Sequence, residues 1–126
     1  MKQLIVPCKE DTTKFKTTMH DTVEWFDKIN HSIFQQQLTP FSKITIKRMG
    51  DWWACVRYYP EEKTSDIDLE LHKKFSNKWH FINILAHEMV HKWQLEINHD
   101  TAAHNKYFYS WRPTFTKHGL DLNRKG

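Results

Sequence analysis

The chain has 126 residues, 14% of them aromatic, and carries a formal charge of +4 with two cysteines. That length and aromatic content suit one packed domain spanning residues 1–126 and exclude a disordered tail, while two cysteines exclude a disulfide framework. No run of about 18 apolar residues exists to span a membrane, and Leu4-Ile5-Val6 before Pro7 is too short for a signal-peptide core, so a monomer in a reducing cytoplasm is expected.

Residues 1–13 lack periodicity and read as an N-terminal arm, or as one edge strand through Leu4 to Val6. From about Thr17 to Gln37, Met19, Val23, Phe26, Ile29, Ile33, Phe34 and Leu38 recur at steps of three and four. This is the period of an amphipathic helix, with Asp21 and Glu24 at its positive end and Pro40 ending it. Lys43 to Lys47 alternates polar and apolar, Trp53 to Tyr59 is aromatic and β-branched, and Ser65 to Leu71 alternates strictly. These predict three short strands, separated by Met49-Gly50-Asp51 and by Pro60 to Lys63. A second long helix is expected from about Asn77 to Glu96, with Ser76 or Asn77 as N-cap. A loop at Asn98 to Thr101 follows, then a last helix from about Ala103 to Lys117 closed by His118-Gly119. The expected fold is α+β, a small three- to four-stranded sheet packed against a central helix with flanking N- and C-terminal helices.

The central helix carries His87-Glu88-Met89-Val90-His91, an H-E-x-x-H pentapeptide. Positions four apart lie on one helical face, roughly 40° apart, so two imidazoles can grip one zinc ion. The glutamate beside the first can reach a water held at the metal. Phe81, Ile82, Ile84, Leu85 and Ala86 before the motif, and Met89, Val90 and Trp93 within and after it, predict a largely buried helix. Such a helix holds its ligands rigidly.

A catalytic zinc takes three protein ligands, so a third must come from outside the pair. His99, His104 and His118 lie downstream; His20, His31, His72 and His80 lie upstream, and Glu96 and Asp100 offer oxygen. His80 shares the helical face of His87 but sits about 10 Å along the axis, which makes it a pocket-wall residue. His104 is favoured because the helix it opens can return its first turn to the His pair.

The stretch His87 to Trp93, followed by His104-Asn105-Lys106-Tyr107-Phe108, resembles the SprT-like metalloprotease family. In that family H-E-x-x-H is followed some thirteen to fifteen residues on by a His and a short polar–aromatic stretch. The resemblance runs over roughly residues 17–118, through Phe26, Asn30, Phe34 and Leu38 and the strands at Ile44–Met49, Ala54-Cys55 and Ile67–Leu69. It implies a zincin-like fold and one Zn²⁺ per chain, held by His87, His91 and His104, with Glu88 as general base in peptide hydrolysis. Two departures stand out. Asn105 replaces the family's usual Gly, and the chain reaches Gly126 without the cysteines of a zinc ribbon, as a bare protease core suited to a phage and its host's cytoplasm.

Such a site needs donors for a developing oxyanion, and Tyr107, Tyr109, Arg112 and His118 are the downstream candidates. The third strand, Asp66 to Leu71, is the expected edge along which a protein or peptide substrate adds as a strand, unless its acids only protect that edge. Trp52 and Trp53, near Arg48 and Arg57, form an aromatic–basic cluster able to stack single-stranded DNA or to pack inward. A pI near 9.1 permits DNA contact without requiring it. The resemblance adds that the substrate class includes DNA-bound or DNA-crosslinked proteins. The competing reading is a non-catalytic, zinc-stabilised nucleic-acid or protein binding module of the same fold. Glu88 separates the two, since a structural site needs no general base.

Overall fold

The computed structural model describes residues 4–60 and 66–124. Residues 4–13 run as an arm without strand pairing, anchored by Leu4 in the core. The Asn77 side chain holds the arm by donating to the carbonyls of Lys9 and Asp11 at 2.8 and 2.7 Å. Two-residue β1 (Phe15–Lys16) pairs antiparallel with β5 (Lys74–Phe75), a contact too short to leave a periodic signal.

Helix α1 (Met19–Ser32) starts at Thr18, whose hydroxyl accepts the Asp21 N–H and donates to the Asp21 carboxylate, both at 3.0 Å. It stops at Ser32, short of the expected Gln37, for a local reason. Buried Asn30 accepts the Leu38 N–H at 3.2 Å and donates to the Leu38 carbonyl at 2.9 Å. Gln35 and Gln36 take positive φ of 54° and 59°, folding the chain back. Ile33, Phe34 and Leu38 thus reach the core from a turn while imitating helical spacing.

Strands β2 (Lys43–Lys47), β3 (Ala54–Tyr58) and β4 (Ile67–His72) form a sheet in the order β2-β4-β3, with β4 parallel to β2 and antiparallel to β3. The alternation in β4 buries Ile67, Leu69 and Leu71, as expected. Its position is not as expected: β4 is the middle strand, and β3 is the edge next to the site. The acidic face of β4 is answered from both sides, with Glu70 reached by Lys47 at 3.3 Å and Arg57 at 3.1 Å. Burial pushes the Glu70 carboxyl up, but hydrogen bonds and charge from Arg57 and Lys47 outweigh it and hold it below its usual value. The break expected at Pro60 to Lys63 and the strand start at Ser65 fall largely on residues 61–65, outside the described residues.

Helix α2 (Lys78–Glu96) is capped by Asn77, which accepts the His80 N–H at 2.7 Å. It is buried along most of its length and touches β3, α1 and the segment after it. Even Lys92 is 2% exposed, its ammonium 3.3 Å from Glu96 and 3.2 Å from the Thr39 hydroxyl, tying α2 to the loop that follows α1. No helix among the described residues is long and apolar enough to cross a membrane.

The helix expected from Ala103 to Lys117 is two short ones, α3 (Lys106–Tyr109) and α4 (Arg112–Lys117). Pro113 lacks the N–H that a continuous helix would donate one turn back, so α4 begins afresh around it. It ends as expected at His118 and Gly119, where φ is 77°. There the Gly119 N–H bonds the Thr116 carbonyl at 3.1 Å and the Leu120 N–H bonds the Phe115 carbonyl at 2.9 Å.

Candidate metal centre

One turn of α2 sets His87 and His91 with ring centroids 5.0 Å apart. Beyond α2, His99 takes a φ of 54° and the Asp100 N–H bonds the Gln94 carbonyl at 2.9 Å, which turns the chain back along the helix. That return brings His104 to 5.5 Å from His87 and 5.0 Å from His91, centroid to centroid. One ligand nitrogen from each ring lies within 4.8 Å of the other two. His104 does not open a helix, as the sequence suggested, but precedes its N-cap. Asn105 accepts the N–H groups of Tyr107 and Phe108 at 3.0 and 3.1 Å, so the side chain that replaces a glycine caps α3.

Phe108, fully buried, forms the floor: its ring centroid is 5.0, 4.9 and 4.8 Å from those of His87, His91 and His104. Burial in this apolar setting lowers His87 to about 3, helped by the charges of His91 and His104, and lowers His91 to about 4. His104 is lowered too, by burial and then by the Arg124 charge. The three rings are therefore neutral near pH 7, the form in which imidazole binds a metal. Burial also pushes the Glu88 carboxyl up to about 8 in the metal-free protein.

Three neutral nitrogens on one buried helix and one capped loop fit a zinc ion with a position left open. The other candidates stand apart: His20, His31, His72, His80, His99 and His118 lie outside the cluster, as do Glu96 and Asp100. His80 is no pocket-wall residue. It packs edge-on to Trp53 at 4.5 Å and Phe75 at 5.3 Å, behind the wall.

The cluster opens into a cleft of about 330 Å³, walled by Trp52, Trp53, Ala54, Cys55 and Val56 on one side and by Glu88 and the imidazoles on the other. Arg124 completes the rim, the one Lys or Arg lining the cleft among the described residues. It is delivered by an extended C-terminal segment laid along α2. The Trp79 indole donates to the Gly119 carbonyl at 2.9 Å and the Asn83 side chain accepts the Asp121 N–H at 2.9 Å. The Asn123 backbone sits near enough to His87 to favour its protonated form, although His87 Nδ1 completes no hydrogen bond. Every fourth residue of the helix, about 6 Å apart, thus meets every second residue of the extended segment, about 6.6 Å apart. The intervening Leu120 and Leu122 are buried in the core.

Of the expected oxyanion donors, Tyr107, Arg112 and His118 do not line the cleft. Tyr107 lies exposed beneath Lys106, Arg112 donates to the Leu122 carbonyl at 2.8 Å and covers the Tyr109 ring, and His118 caps α4. Tyr109 lines an adjoining hollow with His104 and Arg124. The aromatic–basic cluster divides as well: Trp52 and Trp53 belong to the cleft, Arg57 is paired with Glu70 on the sheet, and Arg48 is exposed. Arg124 and Gln94 have no place in the sequence reading, and Phe108 enters it only as part of the polar–aromatic stretch after His104. The alternation Gly119-Leu120-Asp121-Leu122-Asn123 was the available signal for the first.

This arrangement, a His pair on a buried helix with a third His returned by a loop, makes a candidate metal site. A model of the SprT-like family matches residues 22–125, and the chain belongs to that family. No curated protein and no solved structure matches it.

Proposed function

We propose that this protein is a zinc-dependent endopeptidase in which Glu88 is the general base. The observation that carries this is a buried carboxyl beside three clustered imidazoles at the foot of an open cleft. His87, His91 and His104 would hold the ion. Bound zinc supplies Lewis-acid polarisation of the scissile carbonyl and acidifies the attacking water. Glu88 takes the proton of that water and passes it to the departing amine nitrogen. Arg124 lines the cleft together with His104 and is the group best placed to attract the oxyanion that develops on the carbonyl.

The substrate backbone would lie along β3. That strand pairs with β4 on one side and, among the described residues, with no strand on the other, while Trp53 to Val56 line the cleft. An extended peptide can add there as a further strand. Trp52, 66% exposed at the rim, offers a flat apolar surface to the substrate or to an unpaired base of DNA beside it. A binding module without chemistry has no use for either the buried Glu88 or the open approach to the imidazoles.

Glu88→Gln tests the reading. The variant should retain zinc and lose cleavage of an unfolded or DNA-bound protein, and activity equal to the parent's would remove Glu88 from the mechanism.

A further inference from the structure

We infer that Gln94 is the positioning residue of the metal site, setting the tautomer of one ligand and the location of another. The inference rests on the zinc reading for its purpose but not for its geometry. Gln94 is 0% exposed and follows His91 by one helical turn. Its Oε1 lies 2.8 Å from His91 Nδ1. Its Nε2 lies 3.1 Å from Asp100 Oδ1, 2.9 Å from the Ala103 carbonyl and 3.1 Å from Asn105 Oδ1.

Those three neighbours determine which way the amide points. A carboxylate and a backbone carbonyl only accept hydrogen bonds. The Asn105 oxygen is identified as such because it accepts two backbone N–H groups, from Tyr107 and Phe108, while Asn105 Nδ2 donates to Asp100 at 3.2 Å. The atom of Gln94 facing this cage is therefore its NH₂, and the atom facing His91 is its carbonyl oxygen. It follows that His91 carries its proton on Nδ1 and leaves Nε2 with a free lone pair. His87 Nδ1 completes no hydrogen bond, and only the Asn123 backbone lies near the ring, so Gln94 has no hold on that tautomer.

The same amide ties α2 to the loop that carries His104. Ala103 and Asn105 flank His104 on either side, and both bond Nε2 of Gln94. One side chain thus orients the second imidazole through its acceptor and holds the third through its donors. Outer partners of this kind contribute about 10- to 100-fold in metal affinity.

The test uses Gln94→Met, which removes both functions, and Gln94→Glu, which keeps the acceptor and replaces the donors with a charge facing Asp100. Histidine tautomers are read by nitrogen-15 NMR of the metal-free proteins, and zinc affinity by competition with a chromophoric chelator. In the parent, His91 should be protonated on Nδ1. In Gln94→Met, His91 should become a tautomer mixture while His87 is unchanged, and affinity should fall about 10- to 100-fold. In Gln94→Glu, His91 should keep its Nδ1 proton while the amides of Tyr107 and Phe108 exchange faster. The inference is overturned if His91 holds one tautomer in folded Gln94→Met, if both histidines shift together as general loosening would require, or if zinc affinity there is unchanged in a parent that binds zinc. Should Gln94→Met not fold, loss of the Nδ1 proton in Gln94→Glu, or unaltered loop exchange, overturns it instead. A parent that takes up no zinc sinks the zinc reading, and the tautomers still decide the role of Gln94.

Discussion

The rings of Phe108 and His91 stack 4.9 Å apart with planes 21° from parallel, and Phe108 lies almost as close to His87 and His104. One apolar side chain from a four-residue helix therefore supports all three imidazoles. Phe108→Ala should cost about 3–5 kcal/mol in urea unfolding of the metal-free protein, as expected for a buried Phe that leaves a cavity. Zinc affinity should fall with it, because the cavity lies under the ligands. A variant as stable as the parent would mean that the floor is not packed as described.

Glu88 gives the metal-free protein a particular pH dependence. Its folded pKa is raised from 4.5 to about 8 by burial, so the folded state holds the proton more tightly than the unfolded chain. The stability it contributes is full below 4.5 and is lost as pH rises through 8. Gln at this position does not titrate, so Glu88→Gln should match the parent in melting temperature at pH 4 and exceed it by several degrees at pH 9. Parallel melting curves across that range would contradict the burial of this carboxyl.

Arg124 should matter to turnover and not to zinc. Removal of a single oxyanion donor costs about 10²- to 10³-fold in kcat, and Arg124→Ala should approach that loss with its zinc content intact. Arg124→Lys should recover part of the rate by restoring the charge without the planar fork. Steady-state cleavage of an unfolded protein substrate measures both, and parent-like kcat in the alanine variant would leave the oxyanion to another group.

Trp52 stands 66% exposed at the rim, outside the cluster of His87, His91 and His104. Trp52→Ala should leave zinc content unchanged and weaken binding of single-stranded DNA in fluorescence anisotropy, by about 1–3 kcal/mol for each stacked base lost. Unchanged DNA binding would leave this tryptophan to the peptide substrate alone.

Much of this architecture was legible because it is written in spacing. The H-E-x-x-H step and the apolar run before it specify a buried helix, and strict alternation specifies β4. Position within the sheet was not legible. Asp68 and Glu70 look like the protected face of an edge strand until Lys47 and Arg57 arrive from two neighbours to answer Glu70. The end of α1 was hidden because Ile33, Phe34 and Leu38 are buried from a turn held by Asn30. Pro113 did signal the break between α3 and α4, because its missing N–H overrides the apolar pattern around it.

At the candidate site, the three histidines and Glu88 were readable as residue types with a spacing. Their supports were not. Gln94 looks like any helical glutamine until the 98–105 loop closes over it, and Arg124 reaches the cleft only because an extended segment matches the repeat of α2.

Whether His87, His91 and His104 hold one zinc ion is decided by native mass spectrometry of the purified protein. One zinc per chain is expected, removed by a chelator and restored on adding the metal. A protein that carries no zinc, even after zinc is supplied, would contradict it.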